Sequence, residues 1–209
     1  LHCPTMALPI GVNFQRIPPP PSNCPEKQIL KFIYIGTVDQ LRKLDTIVNA
    51  ISSVKGDYVL DIYTASDNEQ TSSIASLKDK RITVKQALPR EELMRKMMEY
   101  DVGIGLIPEN KLYIVSSPTK TLEYYAVGIP SIINSMPDYK GILTDDDAFY
   151  CTFEESDITK LIERILLMPK NKLKQMGLSG KGKVLQKRDY RILSNSLKAF
   201  LQNTFKASG

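Results

Sequence analysis

Short apolar runs alternate with helix-length amphipathic stretches along most of the chain, and this alternation leaves few folds open to it. LKFIYIG (30–36) is a continuous apolar run ending in glycine, the pattern of a strand buried on both faces. In LRKLDTIVNAISSV (41–54), Leu41, Leu44, Ile47, Val48 and Ile51 share one helical stripe. The pattern continues with strand DYVLDIYTA (57–65), short helix QTSSIASLK, strand RITVKQAL (81–88) and helix REELMRKMMEY (90–100). DVGIGLI (101–107) reads as a buried strand, followed by a loop and a helix near 118. IPSIIN (129–134) and AFYCTF (148–153) are further strands, SDITKLIERILLM (156–168) is a helix, and 170–206 reads as two more helices. Strands separated by such helices imply right-handed crossovers and an α/β, doubly wound parallel sheet of about six strands, the first at Leu30–Gly36.

The ends of the chain read differently. The run PIGVNFQRIPPPPSNCPEK contains consecutive prolines Pro18 to Pro21, which favour an extended polyproline segment. The expected organisation is a linker over 1–28 and one domain over 29–209. LHCPTMALPIGVNFQRI carries no initiator methionine and reads as the interior of a longer chain, so an excised domain is expected.

Composition excludes several chemistries. The cysteines, Cys3, Cys24 and Cys151, are odd in number and show no Cys-x-x-Cys spacing, which points to a reducing compartment without a disulfide framework. The only histidine is His2, so a Ser-His-Asp or Cys-His mechanism has no base. His2 beside Cys3 offers two metal ligands at a chain end, too few for a site. No apolar run approaches the ~20 residues that span a bilayer. The net charge of +5 and pI near 9.0 suit anionic ligands, an anionic membrane surface or nucleic acid without choosing among them.

The stretch SSPTKTLEYYAVGIPSII (116–133) narrows the choice. Ser117 suits an N-cap and Pro118 the first helical position, which places Thr119 and Lys120 second and third. A helix N-terminus carries roughly +0.5 of an elementary charge, so a lysine there is unfavourable by a few tenths of a kcal/mol unless an anion joins it. Glu123 follows three residues after Lys120 on the same face. A diphosphate on the N–H groups would leave Glu123 one turn along, where a carboxylate accepts from sugar hydroxyls. The plainer reading is a solvated lysine with Glu123 as its i+3 partner. A second loop, GTVDQLRK (36–43), ends a strand at Gly36 and brings Arg42 and Lys43 to a helix start. It is not a Gly-x-Gly-x-x-Gly, so the nicotinamide fingerprint is missing.

These residues carry a family likeness. The chain resembles the C-terminal, donor-binding domain of family 4 glycosyltransferases (group 1), which have the two-domain GT-B fold with a Rossmann-like second half. PIGVNFQRIPP is similar to the segment "pnGVD…F.P", FIYIGTVDQLRKLDTIVNAI to "vGRl…KGld.li.A", and VKQALPREELMRKMMEYDVGIGLIP to "v.f.G.v….l…l…aDv.v.P". SPTKTLEYYAVGIPSIIN is the most specific match, to "lEamA.G.PvV.s": Leu122, Glu123, Ala126, Gly128 and Pro130 fall in place. The resemblance implies that Glu123 is the second acid of the Glu-x7-Glu motif and holds the ribose. It implies that Ser116, Ser117, Thr119 and Lys120 meet the diphosphate, and that Gly36, Thr37 and Arg42 form the first loop. Three departures stand out. Thr37 replaces an arginine, Arg42 replaces a lysine, and Val115 stands where the first acid should be.

On this reading the full-length protein transfers a sugar from a nucleotide diphospho-sugar with retention, in glycan or polysaccharide biosynthesis. It uses no metal or other cofactor, with the acceptor on a missing N-terminal domain. A non-catalytic partner subunit is the alternative that Val115 and Thr37 favour; an epimerase or phosphorylase-like enzyme needs acid/base residues that a histidine-poor chain lacks. TDDDAF (144–149) reads as a solvated turn. The basic tail (Lys170, Lys172, Lys174, Lys181, Lys183, Lys187, Arg188, Arg191) reads as a solvated helical surface or a membrane-surface patch. It lacks the interleaved aromatics of a nucleic-acid platform. The expected location is cytoplasmic, peripheral to the inner face of a membrane if the tail binds lipid.

Overall fold

Six short strands rich in Ile, Val, Tyr and Phe form one parallel sheet in the computed structural model, which describes residues 4–20, 29–111, 113, 116 and 118–206. His2, Cys3, Cys24, Pro21, Val115 and Ser117 lie outside the described residues. The elements run β1 (Leu30–Ile35), α1 (Leu44–Ser53), β2 (Tyr58–Thr64), α2 (Glu69–Ala75), β3 (Ile82–Gln86), α3 (Arg90–Met97) and β4 (Val102–Ile104). They continue with α4 (Thr119–Val127), β5 (Ser131–Ile133), α5 (Pro137–Lys140), β6 (Phe149–Tyr150), α6 (Glu155–Leu166), α7 (Lys170–Arg188) and α8 (Tyr190–Lys206).

The strand order β3-β2-β1-β4-β5-β6, all parallel, is the doubly wound Rossmann-like arrangement that the alternation predicts. Strand side chains alternate between two apolar layers. Phe32, Tyr34, Leu60, Ile62, Val102 and Ile104 pack towards α1 and α6. Ile33, Tyr63 and Ile133 pack towards α3, α4 and α7. Both faces are covered, so the strands need no polar side, and each buried Ile or Phe contributes roughly 1.5–3 kcal/mol.

Several elements differ from the sequence reading, and helix α5 has no counterpart in it. Helix α1 starts at Leu44, not Leu41: residues 40–43 form a turn and Lys43 takes a left-handed conformation (φ 45°, ψ 48°). Leu41 therefore leaves the apolar stripe and is exposed. Asp147, expected in a solvated turn, is fully buried, whereas Asp145 and Asp146 are exposed. Its carboxylate accepts from Thr144 N and Oγ1 (both 2.8 Å), Ser179 Oγ (2.6 Å) and Lys183 Nζ. The turn is the joint that ties β6 to α7. Within the expected linker, Val12 is buried and bridges to Asp189, its N–H donating to Arg188 O at 2.8 Å. Among the described residues, no helix is long and apolar enough to cross a membrane.

Candidate functional site

β1 and β4 lie side by side, yet the chain leaves them towards opposite outer edges of the sheet. In such sheets the crevice opens beyond the carboxyl ends of these two strands. A cleft of about 370 Å³ occupies that position. Tyr34, Ile35, Gly36, Thr37 and Arg42 line it from the β1 side; Ile107, Tyr113, Ser116, Pro118, Thr119, Lys120 and Glu123 line it from the β4–α4 side. Gly36, Thr37, Arg42, Ser116, Thr119, Lys120 and Glu123, all singled out from the sequence, are thus brought to one place. A larger groove of about 570 Å³ along α8 is lined by Leu197, Leu201 and Phe205 among others and lacks such converging polar groups.

The β1 side is rigidly built. Gly36 has φ +140°, a conformation that a side chain would strain, and its N–H donates to Tyr63 O at 3.1 Å. Tyr34 Oη donates to Thr37 O (2.9 Å), Val38 N–H to Ser66 Oγ (3.0 Å), and Asn68 Nδ2 to Val38 O (2.7 Å). Arg42 lies in the turn before α1 and is ion-paired to Asp39 at 2.6 Å, both side chains about one-third exposed.

The α4 side is set by tyrosines. Tyr124, fully buried, packs its ring against Gly103 of β4, where a Cβ would come within 2.4 Å of it. Its hydroxyl accepts from Ile35 N–H at 3.0 Å, locking α4 to the tip of β1. Tyr139 Oη donates to Pro118 O at 3.1 Å and fixes the start of the helix. That start differs from the sequence reading: Pro118 is the extended cap residue (ψ 117°) rather than the first helical position, and Thr119 leads the helix. The cause is the Pro118 carbonyl, which accepts from both Thr121 N–H and Tyr139 Oη. Thr119 and Lys120 then hold the first two helical positions, whose N–H groups have no partner within the helix. Ser116 Oγ donates to Tyr113 O at 2.7 Å.

Lys120 and Glu123 do not pair with each other. Lys120 Nζ lies 4.0 Å from the centre of the Tyr34 ring. Burial, reinforced by the nearby Arg42 charge, pushes its pKa down to about 7. Glu123 Oε1 instead meets Arg90 at 2.9 Å, with a side chain 16% exposed. Burial raises the Glu123 pKa, and the Arg90 charge partly opposes it. The sequence reading missed Arg90 and Tyr34. Arg90 sits at the first position of α3 after Pro89, and Tyr34 two residues before Gly36; only those positions at strand and helix ends could have flagged them.

Among the tail cations, Lys170 pairs with Asp101, Lys183 with Asp147, Arg188 with Asp138 and Arg191 with Asp189, while Lys187 donates to Gly141 O at 2.5 Å. Arg188 is buried, which corrects the wholly solvated reading of the tail. Among the described residues, no group of three or more His, Cys, Asp or Glu is placed to hold a metal ion.

No protein-family model and no curated protein sequence matches the chain. Solved structures do. Sucrose-phosphate synthase from Thermosynechococcus elongatus aligns at TM-score 0.75 and 16% identity, over 96% of this chain and 52% of that one. A glycosyltransferase from Rickettsia africae aligns at TM-score 0.75 and 14% identity, over 96% and 57%. Anabaena HepE, solved with UDP and glucose, aligns at TM-score 0.72 and 11% identity, over 92% and 55%. These neighbours are GT-B enzymes, and the chain has the fold of one Rossmann-like half of such an enzyme. It spans about half the length of the structures it matches.

Proposed function

We propose that the chain is the donor-binding domain of a family 4 retaining glycosyltransferase, which takes a sugar from a nucleoside diphospho-sugar and passes it to an acceptor on a second domain. The observation that carries this reading is the single cleft at the β1/β4 crevice. It holds two cations, Arg42 and Lys120, beside a helix start, with the Glu123 carboxylate one turn along. HepE, a structural neighbour, is described in complex with UDP-glucose, and that ligand has the matching chemistry.

The division of labour follows from charge. The α4 start, Lys120 and Arg42 face the diphosphate, and Glu123 accepts hydrogen bonds from ribose hydroxyls. As the glycosidic bond to the diphosphate breaks, negative charge grows on the departing phosphate, and fixed donors and cations lower the barrier by stabilising it. No metal is needed for that role. The product belongs to glycan or polysaccharide assembly in the cytoplasm, at the inner membrane face if the acceptor is lipid-linked.

Calorimetry with UDP, GDP and ADP tests the reading: one of them should bind weakly, since the domain that would close over the ligand is absent. No heat from any of them at millimolar ligand would count against the site. The chain alone should show no glycosyl transfer, and turnover by it alone would overturn the two-domain reading. A binding subunit without turnover is the second reading. It is favoured by the uncharged Thr37 and by Arg42 being held to Asp39. Transfer assayed on the full-length protein separates the two.

A further inference from the structure

A cation that must hold an anion needs a partner that keeps it charged and in place without competing for it. A carboxylate partner fails the second condition. Among the described residues, no carboxylate reaches Lys120 Nζ: Asp39 is taken by Arg42 and Glu123 by Arg90. What Lys120 meets is the Tyr34 ring, at 4.0 Å, well within the range of a cation–π contact. Tyr34 is 2% exposed, so the ring cannot swing away. Its hydroxyl is also engaged, donating to Thr37 O at 2.9 Å in the loop that follows Gly36. One buried side chain therefore touches both segments that line the cleft.

We propose that Tyr34 is the positioning residue of the anion site: its ring face holds the Lys120 ammonium ready for phosphate, and its hydroxyl sets the facing loop. The inference rests on the donor-site reading above. The charged and titratable groups around Lys120 are Tyr34 on β1, Arg42 with Asp39 in the following turn, Tyr113 in the loop before α4, and Glu123 with its Arg90 partner from α3. Burial disfavours the ammonium and Arg42 repels it. The π-face offsets part of both costs, and an arriving phosphate offsets more of them. An electron-poor ring would lose the first contribution while keeping a planar six-membered ring in place.

Two measurements test this. In the ligand-free chain, ring currents should shift the Lys120 ε-methylene protons upfield of every other lysine, and Tyr34→Phe should keep that shift. Calorimetry with inorganic pyrophosphate should then find Tyr34→Phe within about threefold of wild type, and pentafluorophenylalanine at position 34, for which Phe is the hydroxyl-free control, about tenfold weaker than wild type. In a Lys120→Ala background the same ring series should be flat, because the coupled partner is gone. A fluorinated ring that weakens binding equally with and without Lys120 overturns the proposal, as do Lys120 resonances at ordinary lysine positions while pyrophosphate still binds. An upfield Lys120 with no pyrophosphate binding instead sinks the anion-site reading and leaves the stacking intact.

Discussion

Two carboxylates, the buried Asp147 before β6 and the half-buried Glu123 on α4, have opposite surroundings. Asp147 is wholly enclosed and accepts from Thr144 N and Oγ1, Ser179 Oγ and Lys183 Nζ. Burial alone would raise its pKa, but Lys183, Ser179 and Thr144 outweigh that and hold its carboxyl below the usual range. Glu123 faces the cleft with Arg90 as its ion-pair partner, and burial wins, raising its pKa. A buried charge with its lone pairs filled ties elements together. A half-buried charge with a single ion-pair partner is held ready for hydroxyls that arrive with a ligand.

The largest expected effect lies at the filled site. Asp147→Ala should cost on the order of 3 kcal/mol of stability, since it strips the donors of Thr144, Ser179 and Lys183 of their acceptor. Urea unfolding measures it, and a loss under 1 kcal/mol would erase the contrast.

At the cleft the loss should appear in binding. Glu123→Ala should weaken nucleoside diphosphate binding by about 1–3 kcal/mol and move unfolding by no more than about 0.5 kcal/mol. Pyrophosphate affinity should stay unchanged or improve, because a carboxylate near phosphate is repulsive. Lys120→Ala and Arg42→Ala should weaken both ligands, each by about 2 kcal/mol. Equal effects of Glu123→Ala and Lys120→Ala on both ligands would break the ribose-versus-phosphate assignment.

The smallest effect is a pair of opposite pH trends. The lowered Asp147 pKa gives stability that is present above the unfolded value, about 3.9, and lost as pH falls through the lower folded value. Asp147→Asn should therefore approach wild type in acid. The raised Glu123 pKa does the reverse: no penalty below the unfolded value of about 4.3, then a penalty that grows as pH rises through the folded one. Glu123→Gln should match wild type at pH 4 and be the more stable protein at pH 7. Denaturation midpoints followed against pH decide it, and trends of the same sign would show the two sites to be alike.

Much of the fold was legible because the βαβ pattern is local. The six strands, most of the helices between them and the Gly36 turn follow from apolar periodicity and glycine placement; the four-residue α5 was missed, because it is too short to show a helical period. The site was partly legible for the same reason: Lys120 and Glu123 lie on one helix face, and Gly36 ends a strand. The exact start of α4 was not, since Pro118 is held extended by Tyr139, which follows it by 21 residues. Leu41 misled because a left-handed Lys43 interrupts the helical stripe, a backbone choice that hydropathy does not encode.

By itself, then, the sequence determined the alternation of elements, the parallel sheet and the residue types at the strand and helix ends that meet at the crevice. Tertiary structure alone decided which charges face each other. Arg90, Tyr34 and Lys183 lie 33, 86 and 36 positions from Glu123, Lys120 and Asp147, and no local rule relates them. The physical reason is that chain periodicity orders neighbours within a turn or a strand. Burial and ion pairing depend instead on which distant segment the packed sheet and helices bring into contact.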